Sequence, residues 1–206
     1  MAPRPIIVRL TPDERAAVKR HTRERMGHRG YASRPDAWGA GLIGTYRAIE
    51  TGFAGEFGFA SWASTTTGLP VVADVSLRHG GDGGIDFRLC ATGVQVKTAT
   101  SSYSELLVRS RDVGCSDWEV IVRAQWPARK EPQPGASLFA VEDRADRSLV
   151  ALCGWAWERD FMRLAKLEPG RAGDHTNYAL PAELFLPMGD LAAILQARRD
   201  YMKVVA

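Results

Sequence analysis

The sequence predicts an α/β protein in which helices pack on a central sheet, and three observations lead to this prediction. Seven short runs rich in apolar and β-branched residues follow one another between positions 71 and 157. Helical patterns precede and follow these runs. The 206 residues, 45% of them hydrophobic, are enough for one well-buried core and few for two domains. Elements in this order favour helices around a largely antiparallel or mixed sheet.

The first helix is predicted by a capping box. Thr11 and Glu14 are three residues apart, with Pro12 between them at the first helical position. Few apolar residues follow, so this helix should pack weakly and display its arginines. The Gly-rich residues 27–44 predict a connecting loop. We therefore divide the chain into a basic N-terminal helix with its connector, 1–44, and a single domain, 45–206.

A second helix is predicted over residues 45–65 by the spacing of the apolar residues. Its three glycines each cost about 1 kcal/mol relative to alanine, which suggests that they have a function. Gly52, Ala60 and Ala63 share a helical face with Glu56. Because small residues let a helix lie close to a sheet, we expect this helix to present Glu56 to the strands.

The remaining elements are predicted from alternation, turn residues and apolar spacing. Strands are expected at 71–76, 84–90, 94–99, 106–110, 118–126, 137–143 and 149–157. An exposed loop is expected at 127–136, a hairpin turn within 141–150, and helices at 157–167 and 186–202.

The charge of the chain is concentrated at one end. The net charge is +3, but residues 1–34 hold nine Lys or Arg against three acids. This asymmetry indicates a polyanionic partner, with a solvated helix face as the alternative. The three cysteines have no spacing typical of disulfide frameworks or zinc sites. Neither a membrane-spanning run nor a signal peptide is recognisable, so we expect a cytoplasmic protein with no membrane partner.

The hairpin predicted between residues 84 and 99 carries polar residues inside apolar strands. Gln95 and Lys97 share a face because alternate strand residues point the same way. A turn with an even number of residues would put Asp86 on that face. With two turn residues (92–93) Asp86 would lie diagonal to Lys97, and with four (90–93) it would lie directly across from Lys97. An odd connection would separate them unless a bulge restored the register. Gly93 favours a tight turn and therefore the even case.

A carboxylate, an amide oxygen and an ammonium on one face suit Mg²⁺ or Mn²⁺. Asp86 would be the main ligand, Gln95 and the Val96 carbonyl further ligands, and Glu56 a ligand either directly or through water. Lys97 would orient or deprotonate the attacking water and offset charge in the transition state. The implied reaction is phosphodiester hydrolysis. A salt bridge between Asp86 and Lys97 is the structural alternative.

Three segments in order, Gly55-Glu56, "GGIDF" (83–87) and "VQVK" (94–97), resemble the PD-(D/E)XK nuclease superfamily. Its Mrr-like members also carry glutamine two positions before the lysine. The resemblance covers roughly residues 50–125. It implies a restriction-endonuclease-like core, here with an N-terminal helical extension, and Glu56, Asp86, Gln95 and Lys97 as the catalytic residues around a Mg²⁺ ion. Two departures are the absence of a proline before Asp86 and the neutral side chain of Gln95.

The sequence therefore predicts a Mg²⁺-dependent nuclease that acts on DNA and is either structure-selective or nonspecific. The basic helix would hold the phosphate backbone, and Thr98 would donate a hydrogen bond to phosphate. The predicted contact residues are Arg15, Lys19, Arg20, Arg23 and Thr98. An inactive nucleic-acid-binding protein of the same fold and an RNA-processing nuclease stay open as alternatives, as does a homodimer.

Overall fold

The computed structural model of the chain describes residues 1–27, 41–75, 85–100, 105–109, 119–126, 148–169 and 176–205, with the side chains at 41–45, 107, 109 and 205 excepted. The strand predicted at 137–143, the loop predicted at 127–136 and most of the predicted connector lie outside these ranges. The hairpin turn predicted within 141–150 also lies largely outside them.

The main sheet has five strands. They are β1 (Ile6–Arg9), β2 (Phe87–Leu89), β3 (Thr92–Ala99), β5 (Val120–Gln125) and β6 (Leu149–Trp157), in the order β1-β6-β5-β3-β2. β3 and β5 are parallel, and the other neighbours are antiparallel. The sheet is therefore mixed, which confirms the general fold class.

A second, antiparallel sheet has three strands. They are β4 (Glu105–Arg109), β7 (Lys166–Pro169) and β8 (Thr176–Pro181), in the order β4-β8-β7. The chain passes through β4 on its way from β3 to β5. Parallel neighbours need such a crossover because a tight hairpin cannot join them.

Within the described ranges, four α-helices accompany the two sheets: α1 (Pro12–Gly27), α2 (Gly41–Thr67), α3 (Glu158–Leu164) and α4 (Met188–Val205). A short 3₁₀-helix, Ala182–Leu184, precedes α4. The predicted capping box is confirmed at the start of α1. The Thr11 amide donates to Glu14 Oε2 at 2.7 Å, and the Glu14 amide donates to Thr11 Oγ1 at 3.2 Å. α2 begins at 41, so the last residues of the predicted connector are helical.

Some predicted elements are wrong. Residues 71–75 form no strand, although their alternation is real: Ala73 is buried while Val72 is 80% exposed. The segment packs on the core in this alternating way without pairing to a strand. The helix predicted at 157–167 ends at Leu164, and β7 follows it.

The core has two parts, one on each face of the main sheet. On one face α2 packs against the strands, and Val8, Leu10 and Val18 from the N-terminal region join the same cluster. On the other face Ile121 and Ala156 pack against the small sheet and against Phe161 of α3. At the end of α2, Gln196 and Arg199 of α4 donate hydrogen bonds to the carbonyls of residues 66 and 67.

Candidate active site

The hairpin that carries the candidate site is closed by a two-residue turn. Phe87 pairs with Val94 and Leu89 with Thr92, so the turn is Cys90-Ala91. Both turn residues have positive φ, 48° and 59°, as a type I′ turn requires. The connection is therefore even, as predicted, but its place is not the predicted one, and Gly93 is a buried strand residue. The paired register ends at Phe87 and Val94, because the Asp86 amide donates to the Val94 carbonyl instead of continuing the ladder toward Gln95.

The turn is held by an arginine of α4. Arg198 Nη1 donates to the Ala91 carbonyl at 3.2 Å, to Thr92 Oγ1 at 2.5 Å and to Glu119 Oε2 at 3.1 Å. These contacts join the tip of the hairpin to the residue that precedes β5. The register of β3 against both of its neighbours is stabilised in this way.

Asp86 immediately precedes β2, at the point where β3 continues beside β5 but no longer beside β2. Its amide donates to the Val94 carbonyl at 3.0 Å, and its Oδ2 accepts from the Val96 amide at 2.6 Å. The carboxylate thus takes the place that a longer β2 would fill. Because the N–H and C=O of one strand residue point to the same edge, the Val96 carbonyl also faces this edge. We call it the open edge because no other strand of the described residues pairs with β3 there.

The two faces of β3 differ in what covers them. Val94 and Val96 belong to the core under α2, and a methyl group at Gly55 of α2 would lie 1.8 Å from Thr98 Oγ1. Gln95 and Lys97 alternate with these residues and point to the other face. Thr98 Oγ1 is buried in its contact with the helix and has no hydrogen-bond partner in the described part of the chain. The predicted phosphate contact of Thr98 stays a prediction, and the burial of this hydroxyl against α2 argues against it.

The predicted close approach of α2 to the sheet is confirmed, but different glycines make it. Gly55 lies against Thr98, and a Cβ at Gly58 would lie 2.8 Å from the Val150 side chain. A Cβ at Gly52, which is on the predicted stripe, would meet nothing within 4 Å. The close contact is therefore displaced around the helix from the Glu56 stripe.

Glu56 lies on α2 between two residues that contact the hairpin. Gly55 precedes it, and Phe59 follows one turn later with its ring centroid 5.0 Å from that of Phe87. Glu56 is half-buried and interacts with other groups of the chain. The structure therefore places Asp86, Gln95 and Lys97 on one hairpin, with the Asp86 carboxylate at the edge and the other two on the face of β3 opposite α2. Glu56 lies on α2, across the sheet from Gln95 and Lys97.

The buried polar groups of this hairpin are incompletely satisfied. Gln95 is 4% exposed, and its Oε1 is buried without a hydrogen-bond partner among the described residues. A buried amide oxygen without a partner is a ligand of the type that a hard cation takes. No three His, Cys, Asp or Glu side chains within the described ranges are grouped as a metal site. Binding by this chain would therefore depend on amide and backbone oxygens beside Asp86, with Glu56 as the second carboxylate.

Two neighbours of the site were not predicted. Asp74 lines, together with Asp86 and Arg88, a cavity of about 400 Å³ between β2 and residues 70–74. Arg123 pairs in register with Lys97 on the neighbouring strand and is 5% exposed. A charged residue inside the apolar run "VIVRAQ" is the same signal that singled out Lys97, and it could have identified Arg123.

The four predicted contact residues on α1 differ in exposure. Arg20 and Arg23 are exposed, whereas Arg15 and Lys19 are half-buried. Lys19 and Arg23 interact with other groups of the chain. The helix packs on α2 through Val18 and His21, whose ring stacks on Phe57 at 6.3 Å. Within the described ranges, none of the helices has the length and apolar character needed to cross a membrane.

Comparison with known proteins identifies no relative. No protein-family model, no curated protein and no solved structure matches this chain. The geometry of the hairpin and its neighbours is therefore the basis for assigning a function.

Proposed function

We propose that this chain is a metal-dependent phosphodiesterase that cleaves nucleic acid, with DNA as its substrate. The observation that carries the proposal is the position of the Asp86 carboxylate, 2.6 Å from the Val96 amide at the open edge of β3. Gln95 and Lys97 flank Val96, so a carboxylate, an orphan amide oxygen and an ammonium belong to one short stretch of backbone. The similarity of these residues to the PD-(D/E)XK pattern supports the same reading, including a restriction-endonuclease-like core.

In this proposal Asp86, Gln95 Oε1 and the Val96 carbonyl would hold Mg²⁺ or Mn²⁺, and Glu56 would be a further ligand either directly or through water. The metal, when bound, polarises a phosphate oxygen and lowers the pKa of a coordinated water. The Lys97 ammonium orients the attacking water and offsets the negative charge that develops at phosphorus. Packing of Phe87 and Val96 under α2 keeps the hairpin rigid during this reaction.

The basic surface of α1 supports a nucleic-acid substrate. We propose that Arg15, Lys19, Arg20 and Arg23 contact the phosphate backbone, which is a sequence-independent interaction. Within the described ranges, no element is dedicated to reading bases. A structure-selective or nonspecific DNA endonuclease of the cytoplasm fits these features best.

One observation favours a second function, binding of nucleic acid without cleavage. The Asp86 carboxylate already accepts a hydrogen bond from the backbone, and Gln95 contributes no charge although it is almost fully buried. Both residues could then serve to hold the hairpin together.

Cleavage assays separate the two functions. The wild-type protein, Asp86→Asn and Lys97→Met are incubated with plasmid, linear duplex, single-stranded and branched DNA and with matched RNA, in Mg²⁺, Mn²⁺ or EDTA. Lys166→Met is the matched control, because Lys166 is an exposed lysine on β7 of the second sheet. Circular dichroism verifies that each variant is folded.

The proposal expects metal-dependent cleavage by wild type and by Lys166→Met, and a loss of about 100-fold or more in both site variants. Equal cleavage by all four proteins, or none by wild type on any substrate, would contradict it. Preference for the RNA over the matched DNA would keep the mechanism and change the substrate.

A further inference from the structure

The face of the main sheet opposite α2 holds a second cation beside Lys97. In the parallel pairing of β3 and β5, Lys97 is the direct partner of Arg123. Direct partners on adjacent strands are about 4.8 Å apart and point to the same face. Ile121, two residues before Arg123 on that face, packs in the cluster under the small sheet, which identifies the face.

Arg123 is buried and incompletely satisfied. It is 5% exposed, and its Nη2 is buried without a hydrogen-bond partner in the parts of the chain that the structure describes. A buried cation without a counter-ion is strongly destabilising. On this face of β3 and β5 the described residues 93, 95, 97, 99, 121, 123 and 125 include no acid. The charge therefore calls for an anion.

The surroundings of Arg123 on β6 are closely packed and largely apolar. The residue of β6 that pairs with Arg123 is Gly154, which has no side chain. The apolar Phe185 packs against Gly154, so the dielectric constant near the guanidinium is low. The nearby thiol of Cys153 responds to this charge: burial raises its pKa, and Arg123 lowers it in part.

We infer that Lys97 and Arg123 together bind a phosphate-class anion on the face of the main sheet that also carries Gln95. Arg123, with its planar fork of donors, is the fixed and desolvated half of the site. Lys97 is half-exposed and connects it to solvent. The inference rests on the proposed function for the identity of the natural ligand as a phosphodiester. It adds Arg123 as a substrate-positioning residue.

Binding of inorganic phosphate, measured by calorimetry in EDTA at constant ionic strength, tests the inference without any cleavage. The proteins are wild type, Arg123→Met, Arg123→Lys and Lys97→Met. Arg163→Met is the control, because Arg163 is an exposed arginine of α3 that contacts Asp160 at 3.2 Å. We expect phosphate affinity to fall about 10- to 100-fold in Arg123→Met and to be partly retained in Arg123→Lys. Arg163→Met should bind like wild type.

Competition identifies the source of the phosphate. A trinucleotide without terminal phosphates should displace inorganic phosphate from wild type if the site takes a phosphodiester, whereas a failure to compete would restrict the site to free phosphate. Absence of phosphate binding in wild type, or unchanged affinity in Arg123→Met, would overturn the inference. If Arg123→Met does not fold, Arg123→Lys and Lys97→Met decide, and unchanged affinity in both would overturn it.

The outcome is independent of the nuclease assay. Phosphate binding without any cleavage would leave this site in place and remove the proposed reaction. Cleavage by an Arg123→Met variant that no longer binds phosphate would leave the proposed reaction in place and remove Arg123 as a substrate-positioning residue.

Discussion

The two faces of strand β3 differ in chemistry although they alternate along the same eight residues. Toward α2, Val94 and Val96 are buried in a continuous apolar core, and Thr98 touches a glycine so closely that no Cβ fits between them. Toward the other face, Gln95 is equally buried but its oxygen has no partner among the described residues. One face is optimised for packing, whereas the other retains polar groups at a cost in stability. Such a cost is typical of functional sites.

The largest effect is expected from a substitution on the polar face of β3. Replacing Gln95 with leucine removes the orphan Oε1, so the free energy of unfolding should rise by about 1 kcal/mol. Metal-dependent cleavage should fall about 100-fold because a ligand is lost. Urea denaturation and kcat/KM on the preferred substrate measure the two effects. A variant that is both less stable and fully active would contradict the assignment of the two faces.

The next largest effect is expected from a substitution on α2 that disturbs the packed face of β3. Gly55→Ala places a methyl group against Thr98 and should destabilise the protein by about 2 to 3 kcal/mol. Gly52→Ala, on the same helix with nothing within 4 Å, should stabilise it by about 0.5 to 1 kcal/mol. Thermal denaturation of both variants, and of Gly55→Ala combined with Thr98→Ala, measures the contact. Partial recovery in the double variant is expected, and equal effects at the two glycines would be incompatible with the close approach.

A smaller effect distinguishes surface cations from the buried hydroxyl. Arg20→Gln with Arg23→Gln should weaken DNA binding about five- to tenfold and reduce the salt-dependence slope by about 2, because each removes one phosphate contact. Thr98→Ala should leave both quantities unchanged, since its hydroxyl faces α2. Fluorescence anisotropy at several salt concentrations gives the slopes. Weaker binding by Thr98→Ala alone would return this residue to the interface.

The smallest effect concerns the turn that sets the register of both faces. Ala91 has a φ of 59°, a value that glycine adopts more readily. Ala91→Gly should therefore stabilise the protein by about 0.5 kcal/mol, and Ala91→Val should destabilise it. Differential scanning calorimetry of the two variants checks the signs. The same sign for both would argue against the turn at 90–91.

Local signals in the sequence predicted local structure well. The capping box placed the start of α1 at Pro12, and the run at 149–157 coincides with β6. Period-two alternation placed Gln95 and Lys97 on one face. These predictions hold because capping and alternation depend on residues within a few positions of one another.

Long-range pairing escaped the sequence analysis. β1 is four residues long and is a strand because it pairs with β6, about 140 residues later. Residues 71–75 have the alternation of a strand but pair with no strand of the described residues. The proximity of Arg123 to Lys97 follows from the parallel register of two strands separated by a crossover, which no local pattern reveals. Likewise, the face on which Glu56 lies depends on how α2 is docked.

The central claim is that a metal binds at the open edge of β3, beside Asp86. Anomalous diffraction from crystals soaked in Mn²⁺ tests it most directly. One peak is expected within about 2.5 Å of an Asp86 carboxylate oxygen and of Gln95 Oε1 or the Val96 carbonyl. An edge without a peak, with the Asp86 carboxylate bonded to the Val96 amide, would contradict metal binding there.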